Sequence, residues 1–338
     1  MQLNTSNQNK SWLIDKINSL TDERRTLLVS ENAEEIRIMP KGTPFPGPWR
    51  NYRTPYLIEP MDSLSETCDT EVEVWLKGHQ LGFTVAVENC IAYIIKNAPG
   101  PILYTTATDP LGAEWSQTRL DPMIEQCGLQ KYIFAQAKKK TRGSNTTGDK
   151  VMLKQFPGGR IKIAGYNSSA AFRSSSFRYF FGDEIDEAKS DLKKQGDAIG
   201  LAEGRTSAFK SKRKIVLFST PVEKDSSKVY EAYLKGDQRK YHVPCPHCGH
   251  KQELIFLNLL YEVDGDGILD VESVRYQCQA DDCGKAFYNY HKAEMYSSGE
   301  CEWVPTAKPQ RANYISRHIS CLYAPPGMIT WADDRDWH

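Results

Sequence analysis

The sequence predicts an α/β fold with a mostly parallel sheet, followed by a small cysteine-rich module. Two observations lead to this prediction. Short apolar strands alternate with helical patterns between residues 71 and 221, and two closely spaced pairs of cysteines follow within residues 245–283. Strands separated by helices pair in parallel and carry helices on both faces. Such sheets bind ligands at the carboxyl ends of their strands, where the candidate chemistry of this chain lies.

Composition sets the first limits on the protein class. A length of 338 residues suits one large domain and a small one. Lys plus Arg and Asp plus Glu both number 43, so the net charge neither favours nor excludes a polyanionic partner. No stretch approaches the roughly 18 apolar residues that cross a bilayer, so we expect an intracellular protein without a membrane segment. Nine cysteines, four of them in paired knuckles, favour a metal site over disulfides.

Before the first strand, two segments differ in character. Residues 1–40 are mostly polar and predict a leader or an amphipathic helix with Trp12, Ile14 and Ile17 as its apolar stripe. The proline-rich segment that follows should run extended until a short helix begins near Leu57.

The strands and helices of the main domain are then predicted in chain order from apolar periodicity and glycines. They are a strand at 71–76, a helix at 84–97, a strand at 101–108, a helix at 110–127, a hairpin at 151–165, and buried strands at 177–183 and 213–219.

The loop KGHQLGFT after the first strand is a candidate phosphate-binding loop. It departs from the usual Gly-x-x-x-x-Gly-Lys-Ser/Thr pattern because Phe83 stands where the lysine is expected. Gly78 and Gly82 would present backbone N–H groups, and Thr84 would open the helix with a hydroxyl for Mg²⁺. Lys77 enters from the strand side and could still reach the phosphates. The alternative is an ordinary strand-to-helix turn.

Two further strand ends carry polar side chains. Asp183 and Glu184 follow an apolar strand, as do the acids that hold the metal and polarise the attacking water in nucleotide hydrolases. Ser219 and Thr220 end the neighbouring strand and could sense the terminal phosphate. Each motif alone also suits a plain strand exit with solvated side chains. Their order, each at a strand end, predicts a nucleotide hydrolase.

Five stretches together resemble a known family, the large terminase subunits of tailed phages in the lambda gpA-like group. The stretches are GPWRNYRTPYLIEPMD, VWLKGHQLGFT, SSAAFRSSSFRYFFGDEIDEA, LFSTP and CPHCG, and the resemblance runs from about residue 40 to the end. It implies a RecA-like ATPase, with Walker A and Walker B motifs, that translocates double-stranded DNA into a preformed capsid. In that family the phosphate-loop lysine sits early, as Lys77 does.

The resemblance also implies a nucleotide site, partners and a location. Gly78 stands where the family often has serine, and Gly182 where it usually has an aliphatic residue. The partners would be the small terminase subunit, the capsid portal and further copies of the chain in a ring, all in the host cytoplasm and outside the mature virion. The predicted ATP-binding residues are Trp49, Arg50, Pro55, Tyr56, Lys77, Gly78, Gln80, Gly82, Phe83, Thr84 and Asp183.

Two cysteine knuckles predict a structural Zn²⁺ site. Cys245 and Cys248 form the first knuckle, and Cys278 and Cys283 form a second, slightly wider one. Metal binding would supply the core that so small a module lacks. His247 and His250 are alternative ligands, although solvated turn residues suit the pattern better. Most of the five other cysteines should be core residues.

Basic clusters are candidate DNA contacts, although charge runs are more often solvated faces. One lies in a glycine-bearing loop, Lys138, Lys139, Lys140 and Arg142, and the other is Lys210, Lys212, Arg213 and Lys214. Three arginines flank the acidic strand and could serve a neighbouring subunit as a finger, although a local ion pair is the commoner use: Arg173, Arg178 and Arg205.

The expected domains are a leader at 1–40, the ATPase domain at 41–240, a zinc ribbon at 241–300 and a linker at 301–338. The family carries a metal-dependent nuclease after the ribbon, whereas this sequence ends at TWADDRDWH, so we expect no cleavage activity. Two rivals remain. A two-lobed helicase should carry a second lobe after Pro221, and a non-enzymatic zinc-ribbon module would leave the motifs from 77 to 221 without a use.

Overall fold

The computed structural model describes residues 27–134, 149–168, 175–188, 198–221 and 226–333. The predicted leader helix before residue 27, the basic loop at 138–142 and Arg173 lie outside these residues. Where the chain is described, no helix is both long and apolar enough to cross a membrane.

Eight α-helices lie within the described residues, and a π-helical turn at Ser116–Leu120 separates the fourth from the fifth. They are α1 (Val29–Ile36), α2 (Ile58–Asp62), α3 (Phe83–Lys96), α4 (Asp109–Trp115), α5 (Asp121–Gln126), α6 (Ala198–Thr206), α7 (Lys228–Leu234) and α8 (Lys292–Ser297).

Sixteen strands lie in the same ranges, most of them in one large sheet. They are β1 (Ile38–Met39), β2 (Gly47–Pro48), β3 (Val72–Lys77), β4 (Pro101–Thr106), β5 (Asp149–Lys150), β6 (Leu153–Phe156), β7 (Gly159–Gly165), β8 (Tyr179–Asp183), β9 (Lys214–Ser219), β10 (Arg239–Pro244), β11 (Lys251–Glu253), β12 (Leu259–Val263), β13 (Leu269–Gln277), β14 (Ala286–Phe287), β15 (Glu302–Val304) and β16 (Tyr314–Ile319).

The large sheet has the order β11-β10-β16-β3-β9-β8-β4-β7-β6-β5, with β15 paired to β10. Its centre, from β10 to β7, is parallel throughout. The flanking strands β11, β15, β6 and β5 are antiparallel. The mixed α/β fold with a mostly parallel sheet is therefore confirmed, as is the predicted hairpin, which is β6–β7.

Both faces of the central sheet are buried. Trp75 and Tyr104 point to the face covered by α3, where they share an apolar core with Ile91. Val74 and Leu217 point to the opposite face and pack with Val229 and other residues of α7. Because side chains alternate along a strand, Lys77 at the end of β3 lies on the same face as Trp75.

Strand β16 is the main difference from the sequence prediction. Residues 301–338 were expected to be a linker, whereas residues 314–319 form a central parallel strand between β10 and β3. Arg317 on β16 is buried and pairs with Glu73 on β3 at 3.1 Å. The linker prediction missed this strand because YISRHI carries a charged residue in its middle, which only the facing carboxylate makes compatible with burial.

The cysteine-rich region is divided between two sheets. Strands β10 and β11 belong to the large sheet, while β12, β13 and β14 form a separate antiparallel sheet. The expected boundary at residue 241 falls inside β10. Tyr276 and Phe287 of the small sheet are buried in the same core cluster as Tyr241, so the module is packed onto the main sheet.

Candidate functional site

The loop after β3 is held in a tight, partly strained conformation. Gly82 is left-handed at φ 82° and directly precedes α3, and Gln80 has a φ of 54°, which costs free energy for a residue with a side chain. The Gly78 N–H donates to the carbonyl of Ile319 at 2.8 Å, and the Tyr56 hydroxyl donates to the carbonyl of Leu81 at 3.0 Å. The backbone is therefore fixed from two sides.

Lys77 meets the other polar strand ends directly. Its Nζ lies 3.0 Å from Glu184 Oε1 and 3.3 Å from Thr220 Oγ1. Glu184 Oε2 accepts hydrogen bonds from Ser219 Oγ at 2.9 Å and from the Thr220 N–H at 3.3 Å. The structure thus brings together four predicted residues from β3, β8 and β9.

Asp183 lies beside this group in a more buried position. The Tyr104 hydroxyl donates to its carboxylate, and the Tyr166 hydroxyl donates to its backbone carbonyl at 2.9 Å. Burial raises the pKa of Asp183 to about 6, and the charge of Glu184 adds to the rise. The hydrogen bond from Tyr104 and the charge of Lys77 oppose it. A carboxylate at such a place gains from a nearby cation.

Glu184 has an unusual backbone as well as these contacts. Its φ and ψ are 49° and 57°, in the left-handed region that side chains other than glycine rarely adopt. Strain of this kind costs on the order of 1–3 kcal/mol and is often found at functional sites. The turn aims the glutamate at Lys77 while the preceding Asp183 stays in line with β8.

A pocket of about 640 Å³ opens over the loop, a volume suited to a nucleotide-sized ligand. Its lining includes Lys77, Gly78, Gln80, Gly82 and Thr84. A smaller apolar cavity adjoins it, and the two share residues such as Leu81 and Val85.

The residues predicted to surround the nucleotide base lie in different places. Trp49 and Arg50 line the apolar cavity beside the loop. Pro55 lines a different cavity, together with Tyr241 and Trp303. The rings of Tyr56 and Phe83 are 0% and 2% exposed, and they pack under the loop with centroids 6.4 Å apart. Pro55 and Tyr56, which were expected on the adenine side, therefore do not line the apolar cavity. Phe83, which was expected in the phosphate loop, lines the loop pocket.

Sequence reasoning missed several charged and aromatic residues at this site. Tyr104 stacks on Trp115 with centroids 3.8 Å apart, which fixes the hydroxyl that bonds Asp183. Arg37, Glu88 and Arg119 also line the pocket. Glu88 had one available signal, since it is the only acidic residue in a mostly apolar helix, four positions after Thr84.

The arginines named as finger candidates lie elsewhere. Arg178 precedes β8, at the opposite end from Asp183, and pairs with Glu66 at 3.0 Å. The backbone of Arg205 accepts a hydrogen bond from the Phe177 N–H near that same end. Any role of Arg178 or Arg205 in a neighbouring subunit stays a prediction.

The second basic cluster is only partly solvent-facing. Lys214 is buried, and its Nζ donates to the backbone carbonyls of Ser63 at 3.1 Å and Thr70 at 2.8 Å. Arg213 pairs with Glu71 at 2.8 Å. Of the four side chains, Lys212 and Lys210 keep the exposure that a phosphate contact requires.

The four knuckle cysteines converge on one point. Their Sγ atoms all lie within 4.8 Å of one another, and the separation between Cys248 and Cys278 is 3.8 Å. N–H groups of His247 and Ala280 point at Cys245 and Cys278 Sγ, at 3.4 and 3.5 Å. His247 Nε2 bonds the carbonyl of Ala286 at 3.1 Å, so this histidine is engaged outside the cluster.

Asp186 has a structural role. Its Oδ1 accepts a hydrogen bond from the Val229 N–H at 2.9 Å, at the start of α7. The N-cap of that helix is Ser227, whose hydroxyl accepts a hydrogen bond from the Tyr230 N–H at 3.1 Å.

Comparison with known proteins identifies relatives of this chain. A family model described as "Phage terminase large subunit gpA, ATPase domain" matches residues 43–303. The terminase large subunit of Enterobacteria phage P21 is 24% identical over 221 residues, covering 64% of this chain and 33% of the relative. That of Escherichia phage lambda is 23% identical over 297 residues, covering 82% and 44%. The chain thus spans less than half the length of these relatives.

Solved structures with some likeness include two of the ATPase domain of the Thermus phage P74-26 large terminase, one of them a mutant. They have TM-scores of 0.41 and identities of 13% and 12%. The alignments cover 79% and 80% of this chain and 81% and 82% of those chains.

Proposed function

This chain belongs to the gpA family of phage terminase large subunits, and from that premise we propose that it is the ATPase motor of a DNA-packaging terminase. It would hydrolyse ATP to translocate double-stranded DNA into a procapsid. The observation that carries the proposal is the contact of Lys77 with Glu184 and Thr220 at the carboxyl edge of the sheet, beside the loop pocket.

The first step in the mechanism is an exchange of partners by Lys77. Its ammonium is bonded to Glu184 in this structure. The phosphates of ATP in the loop pocket would compete for the ammonium, because a phosphate carries more charge than one carboxylate. Glu184, released from Lys77, would then accept a hydrogen bond from the attacking water and orient it.

Ser219 and Thr220 supply a route from hydrolysis to motion. Both bond Glu184 in the structure, and Thr220 also bonds Lys77. A change in the partner of Lys77 therefore changes the contacts at the end of β9. The end of β9 would shift in response, which is the coupling we assign to this motif.

Mg²⁺ fits the carboxylate and hydroxyl beside the pocket. Asp183 is an oxygen donor whose burial favours a neighbouring cation, and Thr84 opens α3 at the pocket wall. When bound with ATP, the ion would neutralise charge on the β- and γ-phosphates. Tyr104 and Tyr166 would hold Asp183 in place.

The base and ribose would occupy the apolar cavity next to the loop. Trp49 and Arg50 line it, and it shares the lining residues Leu81 and Val85 with the loop pocket. An apolar cavity with an arginine at its wall suits an adenine ring. Gln80 lines the loop pocket, from which it would contact the phosphates.

A structural Zn²⁺ fits the cysteine cluster. Tetrahedral coordination with Zn–S bonds of about 2.3 Å requires sulfur atoms roughly 3.8 Å apart, and the separation of Cys248 and Cys278 is 3.8 Å. The N–H···S contacts are of the kind that orient thiolate ligands. We assign Cys245, Cys248, Cys278 and Cys283 as ligands of a zinc ribbon that follows a RecA-like ATPase core.

The partners proposed for the motor are double-stranded DNA, the small terminase subunit, the capsid portal and further copies of this chain in a ring. Lys210 and Lys212 are described basic side chains that could contact the DNA backbone. Such contacts would be insensitive to sequence and would weaken as salt rises. The host cytoplasm is the place where this assembly would work.

Glu184→Gln tests the proposed function. The variant should bind Mg²⁺-ATP but lose turnover on the order of 100-fold or more, because the amide cannot orient water as a carboxylate does. Steady-state phosphate release and equilibrium binding of a fluorescent ATP analogue measure the two properties. Glu187→Gln, an exposed glutamate three positions later, is the matched control and should behave as wild type. Equal turnover in Glu184→Gln and wild type would refute the assignment.

A further inference from the structure

Three charged side chains beside the loop pocket have no role in the mechanism above. Glu88 on α3 accepts hydrogen bonds from two arginines, Arg119 Nε at 2.6 Å and Arg37 Nη2. All three residues line the same pocket as Lys77 and Thr84. Glu88 and Arg37 are buried, at 1% and 3% exposure, whereas Arg119 is 42% exposed.

The charges of this trio do not cancel. Arg37 and Glu88 form a buried ion pair, so the charge of Arg119 is in excess. Two nitrogens of Arg37, Nε and Nη1, also have no hydrogen-bond partner among the described residues. A pocket wall with surplus positive charge and unused donors is complementary to an anion.

The position of the trio points to the phosphate end of the pocket. Glu88 follows Thr84 by four residues, so the two side chains share one face of α3, about 6 Å apart along the helix axis. Arg119 is also near enough to Asp183 for its charge to lower the pKa of that carboxyl. It does not line the apolar cavity where Trp49 and Arg50 lie.

The backbone that carries Arg119 is unusual. Arg119 sits in the π-helical turn Ser116–Leu120, a geometry that is rare and concentrates at functional sites. Trp115, just before that turn, stacks on Tyr104, whose hydroxyl bonds Asp183. The residue that precedes the turn is thereby linked, through Tyr104, to the acid that we assign to the metal.

We propose that Arg119 binds the terminal phosphate of a nucleoside triphosphate in its own subunit, after exchanging Glu88 for the phosphate. The proposal rests on the proposed ATPase function and adds a phosphate-binding residue to it. Glu88 keeps Arg37 as a partner when Arg119 leaves, so the exchange leaves no buried carboxylate without an ion-pair partner. The planar guanidinium suits bidentate contact with phosphate oxygens.

The test uses Arg119→Gln in the full chain, with Arg275→Gln as the matched control. Arg275 is also a partly exposed arginine paired with a glutamate, Glu262 at 3.2 Å, and it lies on β13 away from the pocket. Turnover of Mg²⁺-ATP is measured, together with affinities for a non-hydrolysable ATP analogue and for ADP.

We expect Arg119→Gln to lower turnover on the order of 100-fold and to lower the affinity for the ATP analogue by about tenfold. The affinity for ADP should be unchanged. Arg119→Lys keeps the charge but not the planar fork, so it should recover part of both losses. If Arg119→Gln fails to fold, the turnover and affinities of Arg119→Lys still test the role of Arg119. Arg275→Gln should match wild type.

Two results would overturn the inference alone: wild-type turnover in both Arg119 variants, or equal losses of affinity for the ATP analogue and ADP. The second result would place Arg119 on the part of the nucleotide that ADP shares. A wild-type chain that binds neither nucleotide would instead overturn the proposed function, and this inference with it.

Discussion

At the residue scale, two glycines explain how this site departs from the family pattern. A Cβ on Gly78 would lie 2.6 Å from the backbone nitrogen of Cys321, and one on Gly182 would lie 2.9 Å from Ile185 Cγ2. The serine and the aliphatic residue expected at these positions would both collide with neighbours. The departures are therefore consequences of close packing around the loop and β8, and they leave the polar residues in contact.

Gly78→Ala should destabilise the protein by about 1–3 kcal/mol, because the added methyl meets backbone that cannot rotate away. Relief would require a shift of the chain after β16, which the Gly78–Ile319 hydrogen bond opposes. Urea unfolding followed by circular dichroism measures the change. Gly265→Ala is the control, since a Cβ there meets nothing within 4 Å. A Gly78→Ala variant as stable as wild type would contradict this prediction, because it would show that the surrounding backbone can move to accept the methyl group.

At the element scale, β16 is the strand that links the loop to the end of the described chain. It pairs in parallel with β3 from Tyr314 to Ile319, and Arg317 bridges Glu73 and Glu59 across the sheet. Burial raises the pKa of Glu73 even though the charge of Arg317 opposes the rise. The strand thus depends on a buried ion pair, and β3, which ends in Lys77, depends on the strand.

Arg317→Met should cost about 3–5 kcal/mol of unfolding free energy, because it leaves Glu73 buried without its partner. The double variant Arg317→Met with Glu73→Gln removes both charges and should recover part of that loss. Chemical denaturation of the single and double variants provides the comparison. Arg275→Met, at a more exposed ion pair, should cost little. A double variant no more stable than the single one would contradict the ion-pair explanation.

At the scale of the whole molecule, the cysteine cluster is joined to the main core. Trp331 packs against Tyr276 and Phe287 of the small sheet, with centroids 5.9 Å from each, and its Nε1 donates to the carbonyl of Leu322 at 2.9 Å. Cys245 directly follows β10 of the large sheet. Loss of the proposed metal would therefore lower the stability of the main core as well as that of the cysteine knuckles.

The purified protein should contain about one zinc per chain, and Cys278→Ser should lose the metal and unfold at a lower temperature. Elemental analysis and thermal unfolding measure the two effects. Cys127→Ser, at a half-buried single cysteine outside the cluster, should keep both the metal and the stability. Metal-free wild type, or a Cys278→Ser variant that retains zinc, would rule out the assigned site.

The central fold was predictable because the alternation of apolar strands and helices is local in the chain. The strands that end in Lys77, Asp183 and Ser219 were all found from periodicity and from the polar residues that follow them. The strand β16 was not found, because its buried arginine resembles a surface residue until Glu73 is placed beside it.

The candidate site was predictable only in part. Polar residues at strand ends must share one edge of a parallel sheet, so Lys77, Glu184 and Thr220 could be expected to meet. Tyr104 and Arg119 come from the middle of a strand and from a helix, where nothing in the local pattern marks them.

The amino-acid sequence by itself determined the strands that end in Lys77, Asp183 and Ser219, the family and the cysteines that come together, since these depend on periodicity and spacing along the chain. Tertiary structure alone decided which aromatic rings line the cavity and which lie beneath the loop. It also placed β16 beside β3 and put two arginines on one buried glutamate. The physical reason is that burial and charge compensation depend on residues far apart in sequence, so they exist only once the chain has packed.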